Sequence, residues 1–154
     1  MELAEFLDQR SVAVDLQATD KPSALAALVE LASRSVSFEG TSEIVDALME
    51  REALVSTGIG HSIAVPHCKT PQADQLLIAV GRFKEPIDFG SVDGSPVSLF
   101  FLLIAPKSAA NSHLKALGKI ARFAKDPAIR EGLLKCEGSE GLFEYILEQD
   151  KQVS

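Results

Sequence analysis

The chain has 154 residues and a mass of 16.5 kDa, 46% of them hydrophobic, the size and apolar content of one ordinary domain able to fill one core. A net charge of −7 and a pI near 4.9 set it against nucleic acid and anionic membrane surfaces, and favour encounter with a basic protein surface. Two cysteines make no disulfide framework, Glu2, Glu5 and Asp8 do not suit a secretory signal, and the longest apolar run, Leu99 to Ala105, is too short to span a bilayer, so the expectation is a cytoplasmic protein.

Val12, Val14 and Leu16 alternate along Ser11 to Leu16, which predicts a first strand with one buried face. Asp20 before Lys21-Pro22 is a helix start, and Leu25, Leu28, Val29 and Ala32 then recur on one helical face. Thr41 or Ser42 is the expected cap of a second helix running to about Glu50, with Ile44, Val45, Leu48 and Met49 inward, and it delivers Arg51 and Glu52 to a loop. Ile63 to Val65 reads as a short strand ended by Pro66. Leu76 to Val80 and Val97 to Ile104 are further strands; the second barely alternates, as a central strand covered on both faces does, and Asp93-Gly94 marks a turn between them.

Helices are expected over Ala110 to Lys125, capped by Asn111 or Ser108 with Leu114, Leu117, Ile120 and Ala121 inward, over Asp126-Pro127 to Leu134, and from Ser139 onward with Leu142, Phe143, Ile146 and Leu147. Strands interleaved with helices predict an α/β three-layer sandwich, a mixed β-sheet flanked by helices, as a single domain over 1–150 with a frayed tail over 151–154.

The chemistry concentrates in Ser56 to Lys69, STGIGHSIAVPHCK. Gly58 and Gly60 allow a turn that brings N–H groups near an anion, Ser56 and Thr57 add hydroxyl donors, and His67 follows the strand-ending proline on a rigid anchor. A neutral imidazole nitrogen there can attack phosphorus and carry the phosphoryl group covalently. Alone, this pattern also fits a turn histidine beside a proline, and His113, in the first turn of its helix, reads as a packing or capping residue. A zinc set of His61, His67, Cys68 and His113 is the rival from another class, but adjacent His67-Cys68 do not converge as spaced zinc pairs do. Cys68 itself fits a buried, inert thiol or a redox-sensitive one.

Arg51-Glu52-Ala53-Leu54 through STGIGHSIAVPHCK, the opening MELAEFLDQRSVAVDL, GRFKEPIDFGSVDGSPVSLFFLLIAP and SHLKALGKIARFAKDPAIREGLL together resemble the type-2 IIA proteins of the bacterial phosphotransferase system, in particular the nitrogen-related branch, over nearly the whole chain. The resemblance implies that His67 is phosphorylated, that His113 is a second active-site histidine facing it, and that Arg51 stabilises the phosphate, with Ser56, Thr57, Gly58 and Gly60 as the phosphate loop. The family commonly has Asn or Glu at the position of His61 and Gly at that of Cys68.

The implied function is a phosphocarrier rather than a turnover enzyme. It accepts its group from an HPr-like protein and regulates target proteins by its phosphorylation state, with no metal or cofactor. The alternatives are a sugar-specific IIA component that passes phosphate to a IIB protein for fructose- or mannitol-type uptake, and a binding domain of this fold that is not phosphorylated.

Overall fold

The computed structural model describes residues 1–153. Its elements are β1 (Leu7–Leu16), α1 (Lys21–Ala32), α2 (Thr41–Leu54), β2 (Gly58–Gly60), β3 (Ile63–Ala64), β4 (His67–Lys69), β5 (Leu77–Ile87), β6 (Val97–Ala105), α3 (Ala110–Lys125), α4 (Pro127–Lys135) and α5 (Gly138–Val153). The six strands form one mixed sheet in the order β1-β5-β6-β3-β2, with β4 also paired to β6. β1 runs parallel to β5, β5 antiparallel to β6, and β3 and β4 parallel to β6.

Successive side chains of a strand point to opposite faces, and β6 divides accordingly. Phe100, Leu102 and Ile104 pack with Leu25, Leu28, Ile44 and Leu48 of α1 and α2 in one core. Leu99, Phe101, Leu103 and Ala105 pack with Ala116, Ile120, Leu133, Leu142 and Ile146 of α3, α4 and α5 in the other. Two cores on the two faces of one sheet make the three-layer sandwich that the alternation of elements predicts. Gly81 on β5 lets the first helical layer approach, since a Cβ there would stand 2.7 Å from methyl carbons of Leu16 and Leu28.

Asp20 caps α1 as expected, accepting from the Ser23 N–H at 2.9 Å while Ser23 Oγ accepts from the Asp20 N–H. Asp126 caps α4 in the same way, through the N–H groups of Ala128 and Ile129. Other boundaries differ. The residue before α2 is Gly40 in the left-handed region (φ 70°), with neither Thr41 nor Ser42 capping, and α2 continues to Leu54, so that Arg51 and Glu52 lie in its last turn rather than beyond it. The cap position of α3 is Ala109, without a side-chain cap, after a single 3-10 turn over Lys107–Ala109. Ser139 lies inside α5, its hydroxyl accepting from the Val14 N–H of β1 at 3.1 Å. The tail expected over 151–154 continues α5 as far as Val153, and Ser154 lies outside the described residues.

α3 is also turned relative to expectation: its buried residues are His113, Ala116, Lys119, Ile120, Phe123 and Ala124, whereas Leu114 is 71% exposed. Ala116, Ile120, Phe123 and Ala124 form the apolar part of that face, and one polar residue shares it. The Lys119 ammonium forms a buried ion pair with Asp150 of α5 at 2.7 Å and donates to the Met1 carbonyl, while the other Asp150 oxygen accepts from the Leu3 N–H at 2.7 Å. A lysine inside is tolerated because every strong polar group around it is paired.

Candidate functional site

His67 owes its position to a continuous strand register that is interrupted only at Val65-Pro66. Ile63 pairs with Leu99 and Ala64 with Phe100, and after the break His67 pairs with Leu103 and Cys68 with Ile104, at unchanged offset. Pro66 has no N–H to give to the ladder, but its carbonyl accepts from the Leu103 N–H at 3.0 Å. His67 therefore opens β4 instead of following the last strand residue. The anchoring is the same, because β6 lies beside it. Alternation decides its direction: Cys68 joins the α1/α2 core, so His67 projects on the face that Val65 shares with α3.

There it meets His113, the fourth residue of α3, with ring centroids 5.3 Å apart and planes inclined at 68°. Their separation in sequence is bridged by β6, which runs parallel to β4 and hands the chain to α3 at the same edge of the sheet. Together with Glu50, Arg51, Cys68, Lys69 and apolar walls from Ala47, Leu54, Ala110, Leu114 and Leu117, the two rings line an open cleft of about 720 Å³.

The hydrogen bonds settle the tautomer of His67. Its Nδ1 lies 2.7 Å from the Val65 carbonyl oxygen, which can only accept, so Nδ1 carries the proton and the lone pair resides on Nε2. Burial pushes this imidazole below its ordinary pKa; the Val65 bond opposes that, the Arg51 charge adds to it, and Glu52 opposes it again. His113 is pushed down to about 4, first by burial and then by the charges of His67 and Lys69. Both rings are neutral at pH 7. The Nε2 of His113 is buried and has no hydrogen-bond partner among the described residues, an orphan polar atom in the wall of the cleft.

Arg51 donates through Nη1 to the Val55 carbonyl at 2.8 Å, closing the C-terminal end of α2, and presents its guanidinium to the cleft. The residue beside it was missed by sequence reasoning. Glu52 is buried, accepts from both the N–H (2.8 Å) and the hydroxyl of Thr57, and pairs with Lys21 at 3.1 Å. A carboxylate in the last turn of a helix opposes the macrodipole and requires other partners, and that misplacement is the signal by which it could have been found.

The four loop residues are placed elsewhere. Thr57 is committed to Glu52; Ser56 Oγ donates to the Phe89 carbonyl at 3.1 Å and accepts from the Gly58 N–H at 3.1 Å; Gly58 and Gly60 form β2. None of the four lines the cleft. Thr57 ties the end of α2, through Glu52, to the start of β2. His61 is exposed at the β2–β3 turn, held by its N–H donating to Asp93 at 3.0 Å, and is likewise not part of the cleft wall. Among the described residues no cluster of three or more His, Cys, Asp or Glu is placed to hold a metal ion. Burial raises the Cys68 thiol to about 11, which keeps it protonated and unreactive beside His67.

One imidazole lone pair, a second neutral imidazole and a guanidinium at one cleft of a mixed-sheet sandwich are groups capable of nucleophilic chemistry on an anion. The chain belongs to the family described as the phosphoenolpyruvate-dependent sugar phosphotransferase system, EIIA 2, whose model matches residues 5–149. It is 38% identical over 122 residues to the nitrogen regulatory protein of Bradyrhizobium diazoefficiens, covering 78% of this chain and 80% of the relative. It is 30% identical over 151 residues to the fructose-specific EIIABC component of Bacillus subtilis, covering 98% of this chain but only 24% of that much longer protein. The crystal structure of nitrogen regulatory protein IIA-Ntr from Neisseria meningitidis superposes with a TM-score of 0.86 at 30% identity, over 94% of this chain and 98% of that one. No helix among the described residues is long and apolar enough to cross a membrane.

Proposed function

We propose that His67 accepts a phosphoryl group on Nε2 from the phosphohistidine of an HPr-like carrier, and that the two phosphorylation states bind regulated target proteins differently. The observation that carries this reading is the Val65 carbonyl holding Nδ1–H at 2.7 Å, which leaves one lone pair on the ring in an open cleft. In the transfer, that lone pair attacks phosphorus as the P–N bond to the donor imidazole breaks, and the electron pair of that bond returns to the donor nitrogen. Nδ1–H stays on the Val65 carbonyl throughout, so His67 ends as an N-phosphoimidazolium, while the donor ring, protonated on its other nitrogen in the phosphorylated carrier, leaves as a neutral imidazole.

The dianion then needs donors. Arg51 offers a fixed guanidinium, and a charge-assisted bond of this kind contributes about 1.5–3 kcal/mol. His113, neutral, with its Nε2 unpaired in the wall, can donate an N–H to a phosphoryl oxygen in the tautomer protonated there. The chemistry asks for positioning and charge stabilisation, which the sheet and the ends of α2 and α3 provide. The apolar rim, with Leu54 78% exposed and Leu114 71% exposed, suits docking of a partner that must bring its own histidine to the cleft.

The likeness to proteins named nitrogen regulatory protein favours regulation as the outcome. The likeness to a fructose-specific EIIABC component favours a second reading, in which the group passes from His67 to a IIB protein and on to a sugar. Incubation with radiolabelled phospho-HPr tests the common step: His67→Ala takes up no label, and His113→Ala takes it up slowly while remaining folded. Wild-type uptake by His67→Ala would remove the assignment. Subsequent addition of candidate IIB proteins, read by mass, separates the two outcomes.

A further inference from the structure

Asp and Glu outnumber Lys and Arg by 22 to 15 over the whole chain, yet no acid occurs between Asp93 and Asp126. Four of the five Lys and Arg residues of that interval, Lys115, Lys119, Arg122 and Lys125, lie on α3. Asn111, Lys115, Gly118, Arg122 and Lys125 follow one another at spacings of four, three, four and three, which is one stripe along a helix, and all five are exposed. The stripe is about 21 Å long at 1.5 Å per residue. Lys115, Arg122 and Lys125 have no ion-pair partner among the described residues, whereas Lys119, one face round, is spent on Asp150.

A shallow groove of about 430 Å³ follows the stripe, between Met1 and the side chains of Leu114, Lys115 and Arg122, with Gly118 at its middle. Gly118 has no internal reason to be glycine: a Cβ there would meet nothing within 4 Å, and a glycine inside a helix costs about 1 kcal/mol against alanine. What it does provide is bare backbone for something approaching from outside. Leu114 closes the end of the stripe nearest the cleft with an exposed apolar side chain.

We propose that the outer face of α3 is a docking surface for an acidic, amphipathic helical segment of a partner protein, whose carboxylates face Lys115, Arg122 and Lys125 and whose apolar residues cover Leu114 and Gly118. Charge complementarity selects the partner. The overall negative charge does not oppose it, because charges farther than about 8 Å are screened at physiological ionic strength and the local stripe decides. The surface adjoins the cleft of the two histidines at Leu114, but its basic stripe, Lys115, Arg122 and Lys125, lies outside the cleft wall. A basic carrier suited to the acidic remainder of the chain would not use it.

The test is NMR titration of the isotope-labelled protein with a 16-residue amphipathic peptide of Leu and Glu, beside the same peptide with Lys for Glu. The Glu peptide is expected to shift the amides of Lys115, Gly118, Arg122 and Lys125, to bind about tenfold more weakly to Arg122→Glu/Lys125→Glu, and to lose affinity with salt, while the Lys peptide leaves α3 unmoved. Retained dispersion elsewhere in the spectrum shows that the variant is folded. No shift on α3 at millimolar peptide, equal binding of the Lys peptide, or tighter binding of single-stranded DNA or phosphatidylglycerol vesicles to the same amides would each overturn the proposal, as would concentration-dependent self-association through this face.

Discussion

Keeping His113 neutral has a measurable cost in acid. Its pKa is depressed to about 4 in the fold, against 6.5 for an ordinary histidine, so the unfolded chain binds more protons than the native one between these values. The stabilisation due to the neutral ring is fully present above pH 6.5 and is lost as the pH falls toward 4. At 1.36 kcal/mol per pH unit, the interval from 6.5 down to pH 5 removes about 2 kcal/mol of unfolding free energy. His67, depressed in the same direction by burial, adds to the loss.

Replacing His113 by Gln, which does not titrate, isolates the term. Urea unfolding followed by circular dichroism, suited to a chain without tryptophan, gives the free energy at pH 7.5 and at pH 5 for both proteins. The wild type should lose about 2 kcal/mol more than His113→Gln over that interval. Equal losses would mean that the ring is solvated and titrates normally, and the picture of two neutral imidazoles in one cleft would have to be given up.

Arg51→Ala should slow phosphoryl uptake roughly 10- to 150-fold, the equivalent of one charge-assisted bond of 1.5–3 kcal/mol, as read from the rate of labelling by phospho-HPr. The β2–β3 turn holds His61 (φ 57°) and Ser62 (φ 68°) in the left-handed region, where Asn-Gly is the favoured pair. Ser62→Gly should therefore stabilise the protein by roughly 0.5–1 kcal/mol after the entropy of the new glycine, and a lower or unchanged melting temperature would contradict this. Lys119→Met strands the buried Asp150 carboxylate and should cost about 3–5 kcal/mol, while Lys119→Met/Asp150→Asn, which keeps an acceptor for the Leu3 N–H, should recover most of it. Failure of the double variant to recover would show that the pair contributes by packing rather than by charge.

Much of the architecture is legible before any coordinates. The apolar run from Val97 to Ile104 reads as a strand buried on both faces, and β6 is that strand, its alternate side chains entering two separate cores. Asp20 and Asp126 announce their helices because a side-chain acceptor before an apolar period has a local task, and local tasks show in local sequence. The caps of α2 and α3 were misread where several polar residues compete and none is used. Leu114 points outward for another reason: the inward face of α3 is the stripe of Ala116, Ile120, Phe123 and Ala124, joined by Lys119, whose pairing with Asp150 no pattern of hydrophobicity announces.

The site divides in the same way. That a rigid histidine follows a proline-broken strand is written in residues 63–67, since proline acts on its own backbone wherever it stands. That Ser56 and Thr57 spend their hydroxyls on Phe89 and Glu52, that Glu52 is buried at all, and that His113 comes to lie 5.3 Å from His67 follow from the parallel pairing of β4 with β6 and from the seat of α2 on the sheet. Propensity, capping and periodicity depend on neighbours along the chain, whereas burial, tautomer and depressed pKa values depend on neighbours in space, and only the folded sheet supplies those.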